Sequence, residues 1–161
     1  MKLYLIRHGD AAPLGEGGVT DDAERPLTEA GRKQIQVLGK QLAKHGEKIG
    51  LVITSPHLRA KQTAEILLET TSKPAPELRE CNHLACDGSR KKLVRFLREV
   101  QGDCVALVGH QPDLSALAGW LIGSKKAQIN LAKAGVACIV GEGVQKGGGV
   151  LVWLLTPEWM G

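Results

Sequence analysis

Short apolar runs alternate with longer segments of helical period, and this alternation constrains the fold more than any other feature of the chain. The runs at residues 3–6, 51–53 and 105–108 have the length of buried strands. Between and after them, apolar residues recur three and four positions apart, as in amphipathic helices. The recurring residues are Ile35, Leu38 and Leu42; Ala64, Leu67 and Leu68; Leu93, Phe96, Leu97 and Val100; and Leu114, Leu117, Ala118 and Leu121. Strands that alternate with helices predict βαβ units and a mainly parallel sheet covered on both faces.

The signals at the ends of these segments refine the prediction. Thr28 is a candidate N-cap for the first helix, which extends to about His45, and the second helix begins near Leu58. Two apolar runs, 136–140 and 150–155, flank a glycine-rich segment and predict a hairpin. We therefore predict an α/β fold, a three-layer α/β/α sandwich with an antiparallel C-terminal edge hairpin, in one domain spanning residues 1–161.

Composition excludes several classes of protein. The net charge is only +4, and the positive residues are scattered along the chain rather than clustered in a basic patch. Only 3% of the residues are aromatic, which leaves few side chains on which bases could stack. We therefore expect no nucleic-acid partner. No run is long enough to span a bilayer, and the apolar run at 3–6 is too short for a secretory signal. The four cysteines, Cys81, Cys86, Cys104 and Cys138, form no C-x-x-C pair. These features predict a cytoplasmic monomer with reduced thiols that binds no membrane.

Unusual polar residues follow each of the three predicted core strands. The first strand runs into Arg7, His8 and Gly9, the second is followed by Arg59, and the third is followed by His110. In open α/β sheets, ligands bind beyond the carboxyl ends of the strands. If these strands are parallel neighbours, the five residues meet in one crevice at the edge of the sheet.

Two arginines and two histidines suit phosphoryl transfer. The guanidinium groups of Arg7 and Arg59 offer planar donors that match phosphate oxygens. A neutral imidazole can attack phosphorus, and a second, protonated one at His110 can add positive charge. Gly9 would let the backbone approach the phosphate and leave amides free to bind it. No cluster of carboxylates has the spacing of metal ligands, so we expect neither a metal ion nor a cofactor.

Four strings make the chain similar to a known family. LIRHG at 5–9, RPLTEAGRKQ at 25–34, TSPHLRAKQTAE at 54–65 and VGHQP at 108–112 resemble, in this order, the histidine phosphatase (phosphoglycerate-mutase-like) superfamily. The small size, the string RHGDAA at 7–12 and the lack of a large insertion resemble the SixA-type phosphohistidine phosphatases most. The resemblance covers essentially the whole chain and implies the phosphoglycerate-mutase-like fold.

The resemblance also implies a role for individual residues. His8 matches the histidine that the family phosphorylates. Arg7, Arg59 and His110 match the residues of the family's phosphate pocket, so His8 and these three form the implied catalytic set. Arg25 matches an arginine that precedes the first helix and lines the substrate entrance.

Glu80 is the candidate proton donor. Larger members of the family carry a glutamate in an L-x-E string after the second helix, and Leu78-Arg79-Glu80 matches that string. SixA-type members often lack this acid, because an imidazole is a better leaving group than an alkoxide. Glu80 therefore favours phosphoester substrates, whereas the size of the chain favours phosphohistidine.

The resulting interpretation is a metal-independent phosphatase that hydrolyses phosphohistidine on a protein of the histidine phosphotransfer type, through a covalent phosphohistidine at His8. Its partners would be a phosphorylated protein or a small phosphoester, and phosphate ion. One alternative is a small-molecule phosphomonoesterase on the same scaffold. A non-catalytic phosphoprotein-binding module is a second, although binding alone would not need a nucleophile. A mutase is a third, although the short chain has little insertion to enclose an intermediate.

The remaining histidines and cysteines carry less information. We expect His57 only to pack beside Pro56. His83 lies close to Cys81 and Cys86 in sequence, but their spacing matches no zinc pattern. The sequence therefore predicts no metal site there.

Overall fold

One mixed sheet organises the protein, whose computed structural model describes residues 1–71 and 73–160. Within these residues the sheet has six strands in the order β3-β2-β4-β1-β5-β6. The first four in that order are parallel, and β5 and β6 are antiparallel to their neighbours. The strands are β1 (Lys2–Arg7), β2 (Leu51–Thr54), β3 (Glu77–Glu80), β4 (Cys104–Gly109), β5 (Val136–Gly141) and β6 (Gly149–Leu155). The hairpin predicted at the C-terminal edge is therefore confirmed.

In the described residues, four α-helices cover the two faces of the sheet. They are α1 (Glu29–Lys44), α2 (Leu58–Thr70), α3 (Arg90–Glu99) and α4 (Asp113–Leu121), and short 3₁₀ helices include Asp22–Glu24 and Asn82–Leu84. Apolar residues of α3 and α4 join one core cluster, and those of α1 and α2 join the other. The sheet therefore lies between two helical layers, which confirms the predicted three-layer sandwich.

The alternation of side chains along β1 shows why the sheet needs both layers. Leu3 and Leu5 pack in the cluster with α3 and α4, whereas Tyr4 and Ile6 pack in the cluster with α1 and α2. All four side chains are buried. Because successive side chains of a strand point to opposite faces, a continuous apolar run is stable only where both faces are covered.

The local predictions differ from the structure in two places. The strand β3 was missed, because its sequence ELRE is exposed throughout and has no apolar run. The third helix ends at Glu99, and Val100 is its C-cap rather than part of its last turn. Thr28 is the N-cap of α1 as predicted, and its Oγ1 accepts a hydrogen bond from the Gly31 amide at 3.0 Å. The assignment of 1–161 to one domain stays a prediction.

No α-helix in the described part of the chain combines the length and the apolar composition that crossing a bilayer requires.

Candidate active site

The register of β1 and β4 brings the two predicted site histidines together. The Cα atom of Arg7 pairs with that of Gly109, at the carboxyl ends of the two strands. The amide of the next residue, His8, donates to the Gly109 carbonyl at 3.1 Å. The ring centroids of His8 and His110 consequently lie 5.1 Å apart. Two positions about a hundred residues apart in sequence thus share one crevice.

The hydrogen bonds of His8 fix which of its nitrogens can react. Nδ1 lies 2.7 Å from the Gly9 carbonyl, which can only accept, so Nδ1 carries the proton of a neutral ring. The lone pair is therefore on Nε2, which accepts a hydrogen bond from Arg59 Nε at 3.3 Å. Burial, followed by the nearby positive charges of Arg59 and Arg7, lowers the pKa of His8 to about 4. The imidazole is thus neutral at pH 7, with Nε2 facing a guanidinium group.

Gly9 supports the site in a different way from the one predicted. Its amide donates to Thr63 Oγ1 at 3.1 Å, so this amide is not free to bind phosphate, and that expectation is wrong. A Cβ at this position would lie 2.9 Å from the Gly31 carbonyl oxygen, so there is no space for a side chain. Gly9 is required for close packing against α1, and its carbonyl orients His8. Thr63, which is fully buried and also donates to the Arg59 carbonyl, was not identified from the sequence.

Arg59 lies in the first turn of α2 and is only 4% exposed. While its Nε faces His8, its two outer nitrogens face Asp22. Nη1 donates to the Asp22 carbonyl at 2.6 Å, and Nη2 donates to Asp22 Oδ2 at 3.0 Å. A buried guanidinium needs such partners, because an unpaired buried charge is costly. The Asp22 contacts therefore hold the plane of the guanidinium against the His8 ring.

Asp22 connects the predicted entrance arginine to this buried group. Arg25 Nη1 donates to Asp22 Oδ1 at 2.8 Å, and Arg25 Nε donates to the Ala12 carbonyl at 2.7 Å. The hydrogen bonds from Arg25 and Arg59 keep the pKa of Asp22 below its usual value. Arg25 thus lies at the edge of the site and is linked to Arg59 through Asp22, whereas its role in lining the substrate entrance stays a prediction. The sequence signal for Asp22 was slight: an acid three positions before Arg25 in an acidic loop.

His110 is almost fully buried, with 2% of its surface exposed. Its Nε2 lies 2.7 Å from Ser55 Oγ, and its Nδ1 has no hydrogen-bond partner among the described residues. Burial comes first, followed by the charge that His8 would carry if protonated and by the charge of Arg59, and together they lower the pKa of His110 to about 3. Without a bound anion the ring is therefore neutral at pH 7, and a protonated His110 beside bound phosphate stays a prediction. A bound phosphate dianion would favour the protonated form and raise the pKa again. Ser55, directly after β2, was not identified from the sequence.

Arg7 ends β1 and is half-buried beside His8. Its Nη1 donates to the Leu131 carbonyl at 3.1 Å, and its Nε is buried without a partner among the described residues. Burial lowers the pKa of Arg7 below its usual value, but an arginine remains charged at neutral pH. Arg7 and Arg59 therefore place positive charge near His8.

His57 belongs to the site, contrary to the expectation that it only packs beside Pro56. Its ring centroid lies 4.8 Å from that of His110. Its Nδ1 lies 3.8 Å from Asp22 Oδ2 and 3.7 Å from the sulfur of Cys86. Arg59 Nη2 also reaches Cys86 Sγ at 3.5 Å. These contacts place a histidine and a thiol at the mouth of the crevice.

Glu80 lies outside the group of residues described so far. It ends β3, where its Cα pairs with Thr54, and its carboxylate forms an ion pair with Lys61 Nζ at 2.7 Å. Both side chains are about half exposed. Among the described contacts, the Glu80 carboxylate has none with His8, Arg59 or His110. Its role as a proton donor stays a prediction.

A broad depression adjoins the crevice. It has a volume of about 490 Å³ and extends from the His57 ring along the segment that follows β3. Its lining includes the polar side chains of Asn82, Asp87 and Lys92. The buried histidines and Arg59 thus lie beside a polar surface large enough to contact a partner.

Comparison with known sequences identifies the family. Residues 3–100 match the model of the histidine phosphatase superfamily (branch 1). An uncharacterized protein of Picosynechococcus sp. is 37% identical over 140 residues, which cover 84% of this chain and 82% of that protein. The mitochondrial serine/threonine-protein phosphatase Pgam5 of Drosophila ananassae is 37% identical over 82 residues, which are 51% of this chain but only 27% of that protein.

Solved structures share the fold. The protein histidine phosphatase SixA, complexed with tungstate, superposes with a TM-score of 0.86 at 23% identity, over 100% of both chains. The alpha-ribazole phosphatase from Shigella flexneri has a TM-score of 0.68 at 20% identity, over 98% of this chain and 97% of that one. With the sequence matches, these likenesses confirm the resemblance: the chain belongs to the histidine phosphatase superfamily and has its phosphoglycerate-mutase-like, SixA-like fold.

Proposed function

We propose that this protein is a phosphatase that hydrolyses phosphohistidine on a protein, with His8 as the nucleophile. One observation carries the proposal. The Gly9 carbonyl fixes the His8 tautomer so that the Nε2 lone pair faces Arg59 inside a buried pocket. A neutral nucleophile next to a fixed positive charge is what phosphoryl transfer requires of a protein.

The first transfer follows from this geometry. The phosphoryl oxygens are held by Arg59 and Arg7, whose planar donors match them. His8 Nε2 attacks phosphorus and forms a P–N bond, while the P–N bond to the substrate histidine breaks. The substrate imidazole is already protonated on its other ring nitrogen, so it leaves as a neutral ring when it receives the electron pair of the broken bond. His110 lies beside the reacting group, where its free Nδ1 can contact a phosphoryl oxygen.

In the second transfer, water attacks the phosphorus of phosphorylated His8 and forms a P–O bond, while the P–N bond to His8 breaks and its electron pair returns to Nε2. Both protons of the water leave with inorganic phosphate. Splitting hydrolysis into two steps lowers each barrier. The same buried charges stabilise both transition states, since charge on the equatorial oxygens develops in each. The residues that hold Arg59 in place therefore contribute to both steps.

We assign Asp22 to this positioning role. It binds both outer nitrogens of Arg59, and Nε of the same group faces His8. Arg25 in turn anchors Asp22 to the loop through the Ala12 carbonyl. The Nε–H of Arg59, beside the attacking Nε2, is thereby placed to donate to an equatorial phosphoryl oxygen.

Three observations support a protein as the substrate. The described rim consists of short loops and an edge strand rather than a large insertion. The crevice adjoins a polar depression of about 490 Å³, which offers a surface for a partner. The fold is shared with the protein histidine phosphatase SixA, and the tungstate bound to that protein is a tetrahedral oxyanion like phosphate.

A small phosphoester is the second candidate. The alpha-ribazole phosphatase from Shigella flexneri shares the fold, and Glu80 occupies the L-x-E position that larger members use. An alkoxide leaving group needs a proton in the transition state. Here the Glu80 carboxylate is paired with Lys61 at the surface. This pairing favours phosphohistidine over a phosphoester, because phosphohistidine hydrolysis needs no proton from the enzyme.

The experiment compares a protein that carries phosphohistidine with a panel of small phosphoesters, under identical conditions. We expect kcat/KM to be highest for the phosphohistidine protein, and a ³²P-labelled substrate to leave acid-labile phosphate on His8. The His45→Ala variant is the matched control, because His45 is an exposed histidine at the end of α1. A small phosphoester with a far higher kcat/KM would overturn the choice of substrate, and label on another residue would overturn the mechanism.

A further inference from the structure

Three potential metal ligands converge at the mouth of the crevice. His57, Cys86 and His110 each place one donor atom within 4.8 Å of the other two. Along the chain, Cys86 has Cys81 and His83 as neighbours, and the sequence predicted no metal site among those three. The three that converge come from the segment after β2, the loop after the 3₁₀ helix Asn82–Leu84, and the end of β4. Only the packing of these segments reveals the cluster.

The donor atoms of His57 and Cys86 already have the spacing of two ligands on one ion. Zn²⁺ binds sulfur at about 2.3 Å and imidazole nitrogen at about 2.0 Å, so tetrahedral geometry separates the two donors by about 3.6 Å. The observed distance from His57 Nδ1 to Cys86 Sγ is 3.7 Å. A modest side-chain movement would bring the third donor to the same spacing.

His110 has a nitrogen available for coordination. It is 2% exposed, and its Nδ1 has no hydrogen-bond partner within the described chain, while Nε2 contacts Ser55. A buried nitrogen without a partner is unusual, because leaving a buried polar group unsatisfied costs about 1–3 kcal/mol. With Nε2 donating to Ser55, the Nδ1 lone pair can bind an ion. Ser55 then orients the ring, as partners of ligating histidines commonly do.

The charges near the cluster are balanced well enough for a cation. Arg59 Nη2 lies 3.5 Å from Cys86 Sγ and opposes a positive ion. The carboxylate of Asp22, whose Oδ2 lies 3.8 Å from His57 Nδ1, offsets the positive charge of Arg59. The same oxygen can serve as the fourth ligand, beside the two nitrogens and the sulfur. A thiolate and two imidazoles select borderline and soft ions over Mg²⁺ or Ca²⁺, which prefer oxygen ligands.

We propose that His57, Cys86 and His110 bind Zn²⁺, and that the bound ion inhibits the phosphatase. An ion on His110 removes that residue from contact with the phosphoryl group and draws Asp22 away from Arg59. It also covers the approach to the buried nucleophile. The binding site stands on the geometry alone, whereas inhibition rests on the proposed function.

Binding is tested with Co²⁺, which reports its ligands through its absorption spectrum. We expect one Co²⁺ per chain, with an intense sulfur-to-cobalt band in the near ultraviolet, displaced by one equivalent of Zn²⁺. Cys86→Ala should lose the band, and His57→Phe should weaken Zn²⁺ binding by more than the roughly 10- to 100-fold that loss of an outer-shell partner costs. Cys104→Ser is the matched control, since Cys104 begins β4 at the opposite end of the strand from His110. A band that persists in Cys86→Ala, or no band in the wild type, would overturn the site.

Inhibition is tested in metal-buffered assays, with each variant measured against its own metal-free rate. We expect Zn²⁺ to inhibit the wild type and a chelator to restore its activity, whereas Cys86→Ala should stay active at the same free Zn²⁺. Equal inhibition of both proteins would overturn the inhibitory role. If the wild type hydrolyses neither class of substrate, the proposed function fails, while the cobalt spectrum still decides whether the site exists.

Discussion

The floor and the rim of the crevice are built in different ways. The floor, which consists of His8, Arg59 and His110, is 7%, 4% and 2% exposed, and its residues follow buried strands at the sheet edge. The rim, which consists of Asp22, Arg25, His57, Glu80 and Cys86, lies on loops and on the edge strand β3, and its side chains are more exposed. The positions of the floor are set by backbone register, whereas those of the rim are set by contacts between side chains.

From this difference we expect the floor and the rim to have different roles in catalysis. In the proposed mechanism the floor supplies the nucleophile and the charge that every phosphoryl transfer needs, so a change there should affect all substrates equally. The rim meets the part of the substrate beyond the phosphoryl group, so a change there should affect substrates differently. Asp22 tests this expectation most directly, because it lies on the rim and contacts the floor.

The largest effect is expected from the floor. The His8→Ala variant should lose about 10⁴-fold or more in kcat on every substrate, as enzymes do when a catalytic nucleophile is removed. Steady-state rates and the absence of trapped phosphate would show this, with His45→Ala at the wild-type rate. Substantial turnover by His8→Ala would show that His8 is not the nucleophile, and the proposed difference in role between floor and rim would then be wrong.

The Arg59→Lys variant should lose roughly 10²- to 10³-fold in kcat, comparable to the loss of one charge-stabilising donor. A lysine keeps the charge but cannot contact His8 and Asp22 at once through a planar group. Competitive inhibition by vanadate should weaken in parallel, because the same donors bind the oxyanion. Arg95→Lys, a change at an exposed position of α3, is the control. Retention of vanadate affinity would place the phosphate site elsewhere.

The Asp22→Asn variant should lose about 10- to 10²-fold in kcat, since small displacements of a catalytic group carry costs of this size. The amide keeps the shape but loses the charge that pairs with Arg59. If Asp22 positions Arg59, kcat falls for all substrates with KM little changed. A fall in KM without a loss of kcat would instead mean that Asp22 competes with the substrate for Arg59. Asp103→Asn, in an exposed loop, is the control.

The Glu80→Gln variant should change phosphohistidine hydrolysis by less than about twofold, because the leaving imidazole carries its own proton. Loss of about 10²- to 10⁴-fold on an alkyl phosphoester would assign Glu80 as its general acid. Equal, large losses on both substrates would mean that Glu80 acts through structure, for example through its ion pair with Lys61. Glu77→Gln on the same strand is the matched control.

The smallest effect is expected from removal of metal ions. Dialysis against a chelator should leave kcat/KM of the purified enzyme unchanged, or raise it if the preparation carries Zn²⁺. The reason is that Arg7 and Arg59 supply the charge for which other phosphatases use a metal. If the chelator abolished activity and Mg²⁺ or Zn²⁺ restored it, the prediction that the arginine side chains supply all the charge needed for catalysis would be contradicted.

Much of the framework could be predicted from local patterns. The apolar runs predicted five of the six described strands, and the spacing of apolar residues predicted the four described helices. Both patterns arise because side chains repeat on one face every two residues in a strand and every 3.6 residues in a helix. The strand β3 escaped prediction because its sequence is exposed and polar, and only pairing with β2 makes it a strand. Its existence depends on a neighbour rather than on its own composition.

The floor was predictable for a related reason. Residues that follow buried parallel strands must meet at one edge, so Arg7, His8, Arg59 and His110 could be grouped before any coordinate was known. The same argument could not orient them. That His8 Nε2 faces Arg59, that the Gly9 amide binds Thr63, and that both histidines are neutral depend on burial and on single hydrogen bonds.

The sequence by itself determined the layers, the edge where the site lies and the residue types that carry the chemistry. The tertiary structure alone decided how Asp22 pairs with Arg59, how Ser55 supports His110, and how His57 and Cys86 meet at the mouth of the crevice. The two kinds of information differ in the distance along the chain over which they act. A periodic pattern records whether each position is buried, which is a local property, whereas a hydrogen bond between distant side chains depends on the register and packing of two elements to within about an ångström.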